Sequence, residues 1–358
     1  MDTLKQFFEE LKVHYRCQAN ADNIIKLYAI SQDPDSKEYI LIMQFADKGS
    51  LREHLYSSFN KDYKWNEKIT RSLREHLYSS FNKDYKWNEK ITSLACISET
   101  LLQMHEFGLI HCDLHSGNIL QKTFTYHEYS SVKSLITDFG LSRAINKTVK
   151  KEDGDVVGVL PYIAPEVLLG KPYTDKSEIY SFGILMSEFS SGRPPFYNVQ
   201  HNKDLVIPIC CENLRPEFAK GTPKPYVDLA MKCLDKDPLK RPTSREVHDQ
   251  FLHWMMMMLK QDGYYSPVNN TYWYFTDEEY EENKKLRSKF KESDKINAKA
   301  EPYVEKEKNK DAFYFSRLMN YKEQISKALG NTKQSQHEKS QELKTSDSGQ
   351  IDMVIPDF

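Results

Sequence analysis

Apolar residues recur every three or four positions from the start of the chain. Leu4, Phe7, Phe8, Leu11 and Tyr15 share one face if residues 3–17 are helical. The pattern then changes. NIIKLYAI (23–30) and EYILIMQF (38–45) are nearly continuous apolar runs that predict two short buried strands, and DPDSK between them is turn chemistry. Beyond Gly49 the periodicity is mainly helical to about residue 260, with SLACISETLLQMHEFGLIH predicting one long apolar-striped helix. MMMM at 255–258, following Phe251, Leu252 and Trp254, reads as the buried end of the last domain helix. From about 277 onward Glu, Lys, Asn, Ser and Gln take over. TDEEYEENKKLRSKFKESDK carries acid-to-base pairs at four-residue spacing and predicts an exposed helix. NTKQSQHEKSQELKTSDSGQ (331–350) has too little apolar surface to offset chain entropy and reads as disordered.

One segment interrupts this pattern. SLREHLYSSFNKDYKWNEKIT stands at 50–70 and again, letter for letter, at 72–92. Solenoid repeats diverge and come in threes or more, so an identity this complete reads as a recent duplication or an exon-assignment error. Each copy opens on Ser-Leu-Arg-Glu, a capping-box start for a helix. The second copy runs directly into the long helix, which makes the first copy the expected insertion, to be accommodated as an extra surface helix or loop.

Composition narrows the class. The 358 residues carry 50 Lys and Arg against 52 Asp and Glu, a formal net charge of -2, so no global charge favours nucleic acid or an anionic membrane. Six cysteines lie scattered without CxxC spacing, which argues against a disulfide framework or zinc site and for reduced thiols in the cytoplasm. No apolar run reaches membrane-spanning length, and MDTLKQFFEELK is too charged for a signal peptide.

Three short motifs carry the candidate chemistry: HCDLHSGNIL (111–120), TDFG (137–140) and APEVL (164–168). Phosphoryl transfer needs an aligned nucleophile, metal ions on the phosphates and a carboxylate near the hydroxyl proton. Asp113 and Asn118 stand five apart in a loop bounded by Leu109, Ile110, Ile119 and Leu120, so a carboxylate can face the acceptor while an amide oxygen reaches a metal. Asp138, between the apolar SLI and Phe139-Gly140, supplies a second oxygen donor of the kind that Mg²⁺ prefers. The lack of a GxxxxGK[ST] loop argues against the P-loop class.

Over roughly residues 1–255 the sequence resembles the eukaryotic protein kinases, closest to the tyrosine-kinase-like branch. EIYSFGILMSEFSSGRPPF (178–196) is similar to the family's central large-lobe helix and the loop after it, and CLDKDPLKRPT (233–243) to its late arginine motif. The resemblance implies an α+β, two-lobe fold with a depleted small β lobe and a mainly helical large lobe. Its expected parts are a small-lobe remnant at 1–46, a large lobe at 47–255 and a charged, partly disordered tail at 256–358. It implies ATP and Mg²⁺ as cofactors and a protein hydroxyl as acceptor, with serine/threonine favoured. A regulatory protein partner is left open. Asp113 would be the base, His115 a donor to the transferring phosphate, and Asn118 and Asp138 the metal ligands. Glu10, with Glu9 as neighbour candidate, would be the helix-C glutamate, Met43 the gatekeeper, and Gln44, Phe45 and Ala46 the hinge. His111, Phe139 and Gly140 would be structural, Arg241 would pair with Glu166, and Ser142 and Thr148 in the activation segment (141–163) would be candidate phosphosites.

The departures are equally specific. Cys112 replaces the arginine that grips a phosphorylated activation segment, His115 replaces a lysine, Val159 a threonine and Glu178 an aspartate whose grip on the catalytic loop one extra methylene should loosen. No glycine-rich loop or strand lysine precedes Glu10, so a two-strand sheet with an uncovered apolar face is expected. The alternative reading is a pseudokinase or scaffold that binds a protein partner.

Overall fold

The computed structural model describes residues 2–20, 23–52, 85–126, 129–139, 141–144, 155–259, 263–266, 271–299 and 308–330. Thr148, Gly140, most of the repeat and the 331–350 stretch lie outside them, as does the side chain of Glu9. Helix α1 spans Asp2–Asn20. Its packed face is Leu11, His14 and Cys17, whereas Tyr15 points outward. Strands β1 (Leu27–Gln32) and β2 (Tyr39–Met43) form an antiparallel hairpin. Asp33 closes its turn by accepting from the backbone N–H groups of Asp35 and Ser36, both at 2.8 Å.

The two strands were expected to be buried, and they are not. Tyr28, Ile30, Ile40 and Ile42 are all exposed. Two strands offer one ladder and no covering layer; α1 reaches them through Phe7, stacked 5.2 Å from Tyr39, and through Gln18, which bonds the Leu27 backbone. The chain just before the hairpin is held firmly: Ile24 and Ile25 are buried, and Ile25 N–H donates to the Ile136 carbonyl at 3.1 Å.

Beyond residue 85 the helices dominate. Helix α2 (Trp87–Glu106) buries Trp87, Ile91, Leu94, Ile97, Leu101 and Met104, a stripe at helical spacing. After the short strand β3 (Leu109–Ile110) comes a hairpin that the periodicity did not suggest, β4 (Ile119–Tyr126) with β5 (Tyr129–Ile136). Two short strands follow, β6 (Arg143–Ala144), which pairs with β3, and β7 (Val156–Gly158), then the single-turn helix α3 (Pro165–Leu168). Helix α4 (Asp175–Ser191) is the central element. It begins with a Thr174–Ser177 capping box, ends on Gly192 at φ 63°, and is buried almost all round. Helices α5 (Lys203–Cys211), α6 (Lys224–Cys233) and α7 (Ser244–Met258) pack about it, with Met257 of the methionine run fully buried.

The chain continues as structure beyond α7. The hairpin of β8 (Gly263–Ser266) and β9 (Thr271–Tyr274) leads into α8 (Asp277–Asn297), the helix expected from its charge pattern. It is not wholly exposed, because Phe290 is buried 5.1 Å from the Trp87 ring. Asp294 accepts from Trp87 N–H at 3.0 Å and Ser293 from the indole Nε1–H at 2.8 Å, so α8 caps the start of α2. Residues 308–330 return to the front of the molecule rather than trailing from it. Their strand β10 (Arg317–Met319) pairs antiparallel with β7, and Ala312 and Ile325 are fully buried.

The structure also divides the repeat. Ser50 to Arg52 of the first copy and Tyr85 to Thr92 of the second are built into the fold, with Leu51 and Trp87 both fully buried. The described start of the first copy and the described end of the second thus share the places that one copy supplies, since residues 50–52 and 72–74 are the same Ser-Leu-Arg.

Candidate active site

The loop between β3 and β4 carries Asp113, His115 and Asn118. It turns through Cys112 at φ 67°, a left-handed conformation that an ordinary L-residue adopts only when its surroundings hold it there. Glu178, one turn into α4, supplies the hold. Its Oε1 accepts from His111 N–H at 2.8 Å and from Cys112 N–H at 3.1 Å, while Oε2 accepts from His105 Nε2 at 2.8 Å. The longer side chain thus grips the loop rather than loosening it, and reaches a third donor. Burial alone would push the Glu178 carboxyl up, but the His105 bond, the fields of His105 and His111 and the Cys112 N–H bring it below its ordinary value.

Asp113 stands next to this anchor and is nearly buried. Asn118 Nδ2 donates to the Asp113 carbonyl at 3.0 Å and approaches its carboxylate at 3.4 Å. His115 Nδ1 accepts from Gly117 N–H at 3.0 Å and from Arg52 Nη2 at 2.9 Å. With Nδ1 committed as acceptor, the ring proton sits on Nε2, which faces Asp113 Oδ2 at 3.6 Å. The Ser316 hydroxyl donates to that same Oδ2. Burial raises the Asp113 pKa, yet His115, Ser316 and the field of His111 lower it by more, so the carboxylate is ionised at neutral pH. Burial lowers the His115 pKa against the pull of Asp113, so this imidazole is neutral there. A Cβ at 117 would sit 2.8 Å from both Arg52 Nη1 and His115 Cε1, so any larger residue there has to displace these two side-chain ends.

Phe139 is buried between two histidine rings, His14 of α1 at 4.9 Å and His111 at 5.2 Å. Its neighbour Asp138 is exposed, at φ 64°. Glu10 lies close enough that burial and the Asp138 charge both raise its pKa. Between the hairpin and the large lobe, Met43 ends β2, and Gln44 N–H donates to the Lys26 carbonyl at 2.7 Å. Phe45 is 81% exposed, and the Ala46 carbonyl accepts from Gly49 N–H.

Residues 1–252 match the model of the protein kinase domain. The chain belongs to the protein kinase family. It is similar to a probable serine/threonine-protein kinase of Dictyostelium discoideum, 28% identical over 244 residues, 68% of this chain and 23% of that protein. A protein kinase and PP2C-like domain-containing protein of Arabidopsis thaliana is 27% identical over 297 residues, 74% of this chain and 40% of that protein. Serine/threonine-protein kinase PkaA of Streptomyces coelicolor is 31% identical over 153 residues, 43% of this chain and 27% of that protein. The chain thus spans less than half the length of each of these relatives. No described helix is long and apolar enough to cross a membrane.

The kinase domain places its other expected residues as follows. Arg241 meets Glu166 through two parallel bonds of 2.7 Å, Nη1 to Oε1 and Nη2 to Oε2, both side chains buried. Val159 is in the core. Ser142, a candidate phosphosite, instead donates its hydroxyl to the His111 carbonyl at 3.1 Å. Residues at the site that the sequence did not reveal are Arg52, His14, His105 and Ser316. His14 lies one turn after Glu10 on the same helix and could have been found by that spacing. Arg52 and Ser316 reach the loop from remote sequence positions and carry no local signal; His105 lies six residues before His111, but its partner Glu178 is 73 residues away.

Proposed function

We propose that the chain is an ATP-dependent protein kinase of the tyrosine-kinase-like branch, acting on protein serine or threonine hydroxyls in intracellular signalling. A protein kinase domain uses ATP and Mg²⁺ in general, and the donor set here suits them. Asn118 and Asp138 offer oxygen donors. Among the described residues no three His, Cys, Asp or Glu side chains cluster as a self-sufficient metal site. A hard cation that keeps its water and shares substrate phosphates is what such a partial set suits, and that is the habit of Mg²⁺. When bound, Mg²⁺ supplies neutralisation of phosphate charge.

The chain's own residues do the rest. Asp113 holds its carboxylate ionised and takes the acceptor proton. Asn118 fixes Asp113 through Nδ2, which leaves Oδ1 as its metal-facing atom. His115 keeps a proton on Nε2 to donate toward the transferring phosphate. Met43, Gln44 and Ala46 line the nucleotide side as gatekeeper and hinge, and Glu10 borders it from α1. Phe139, held by His14 and His111, sets the direction of Asp138, and Gly140 follows it in the motif. Arg241 and Glu166 tie the activation segment to the large lobe.

The observation that carries this reading is an ionised Asp113, bonded by Asn118 and faced by His115, on a loop anchored by Glu178. The serine hydroxyl on Asp113 supports the preference for an aliphatic hydroxyl. The test is transfer from Mg²⁺–ATP to dephosphorylated casein. Asp113→Asn should lower the rate by ~10²–10⁴, the range of a positioned base; an unchanged rate would refute the assignment. The second reading, a scaffold, draws on Cys112 and on the Glu10 carboxyl facing Asp138. It predicts nucleotide binding, or none, without transfer.

A further inference from the structure

We propose that Ser316 is a phosphoacceptor of this chain in cis, so that the kinase domain carries its own first substrate. The inference rests on the reading of Asp113 as catalytic base. Its starting observation is that Ser316 Oγ donates to Asp113 Oδ2, across 203 residues of sequence. A hydroxyl bonded to the base is in the position from which an acceptor loses its proton.

The contact is not an isolated side-chain bond, because the segment is docked on both sides of the serine. After it, Arg317, Leu318 and Met319 pair antiparallel with Gly158, Val157 and Val156 of the activation segment. An extended peptide laid on a strand edge gains affinity from main-chain bonds and specificity from alternate side chains. Before it, Tyr314 is buried and donates its hydroxyl to the Pro195 carbonyl at 2.9 Å. His201 Nδ1 lies 2.8 Å from the Phe313 carbonyl, and its ring meets Tyr314 edge-on at 4.9 Å. Ala312 is fully buried. The side chains of Phe315 and Leu318 remain exposed.

Arg52 joins the docked segment to the chemistry. One guanidinium nitrogen donates to the Tyr314 carbonyl and another to His115 Nδ1. The group that holds the peptide backbone therefore also fixes the tautomer of the histidine facing Asp113.

The step balances with ATP as the phosphate donor. Ser316 Oγ forms a bond to the γ-phosphorus, and the bond from that phosphorus to the β–γ bridging oxygen breaks. The hydroxyl proton goes to Asp113, and ADP leaves with the bridging electron pair. Once Asp113 has passed that proton to solvent, the product places a phosphoserine of roughly −1.5 to −2 charge beside an ionised carboxylate. Like-charge repulsion then favours release of the segment, so the modification opens the acceptor side to other proteins.

The experiment uses the full chain with Mg²⁺ and γ-labelled ATP, casein as an external acceptor and tandem mass spectrometry to map the phosphate. The expected result is phosphate on Ser316, formed at a first-order rate that does not change on serial dilution. Label should also be absent from Ser316 of an Asp113→Asn chain mixed with the wild type and distinguished by mass. Labelled casein with unmodified Ser316 overturns the inference and leaves the kinase reading intact. A Ser316 rate that falls with dilution, or label on the Asp113→Asn chain, overturns it in favour of transfer between molecules. Label on neither acceptor refutes the kinase reading, and this inference with it.

Discussion

Glu178 shows how much one side chain settles at this site. It accepts from His111 N–H, Cys112 N–H and His105 Nε2, and the first two donors have no other route to solvent. Each buried donor stranded without an acceptor costs about 1–3 kcal/mol. Glu178→Ala should therefore shift the urea midpoint down strongly and lower transfer with it, because Asp113 follows the loop. Glu178→Asp should fall between, keeping the backbone contacts and losing His105; equal midpoints for all three proteins would contradict the anchor. The buried Arg241–Glu166 pair makes a second prediction. Arg241→Ala leaves a carboxylate buried without its partner and should cost about 3–5 kcal/mol. Arg245→Ala, removing the exposed pair with Glu106, should cost under ~1 kcal/mol in the same urea series. The motif residues were legible in the sequence because their spacing is local: five residues separate Asp113 from Asn118. His105 and Arg52 were not, since their partners, Glu178 and His115, lie 73 and 63 residues away in sequence.

At the scale of elements, the sequence disclosed periodicity better than burial. The stripe of α2 was plain, whereas β1 and β2 were read as buried from their apolar content and turn out to face outward. A strand's burial depends on whether another layer covers it, which its own residues do not record. The β4–β5 hairpin was missed because Lys122, Thr123 and Lys133 interrupt the apolar ends that pack beside the loop. Helix α8 looks solvated from composition because its attachment rests on one buried aromatic and on polar contacts, among them Ser293 and Asp294 to Trp87, Asn283 to His253 and Arg287 to the Met257 carbonyl. That attachment is testable: Phe290→Ala should destabilise the chain by about 3–5 kcal/mol, as for other buried phenylalanines. Lys284→Ala on the exposed face should stay within ~0.5 kcal/mol in the same denaturation experiment. The repeat gives a complementary test. Deleting residues 53–74 joins Arg52 to Glu75 and restores one complete copy, with Leu51 and Trp87 both retained. Shortening the connection between Arg52 and Tyr85 about threefold changes closure entropy by only ~1 kcal/mol, so the melting temperature should barely move. A large loss would mean that residues 53–74 make stabilising contacts of their own.

For the whole molecule the least legible feature is the return of residues 308–330 to the catalytic loop, since every contact that seats them is remote in sequence. His201 offers a way to measure that seating. Its Nδ1 faces the Phe313 carbonyl at 2.8 Å and its Nε2 the Phe196 carbonyl at 3.3 Å, so the neutral ring donates to one of the two, and Arg317 Nη2 donates to the His201 carbonyl. Burial drives its pKa down to about 4, the two carbonyls oppose this, and the Arg317 and Lys308 charges add to the depression. When the segment lifts away the imidazole regains its ordinary value near 6.5. The released state then binds the proton first as pH falls. The stabilisation is complete above pH 6.5 and is lost progressively as pH drops toward 4, to a total of about 3 kcal/mol. Other buried histidines, such as His14 and His248, blur this signal in global unfolding. Amide protection at Ala312 and Met319, corrected for intrinsic exchange, reports the segment alone. It should fall between pH 6.5 and 5 in the wild type and stay flat in His201→Gln. Protection that ignores pH with His201 intact would show that the segment's release leaves this histidine buried, and that its seat does not depend on the imidazole.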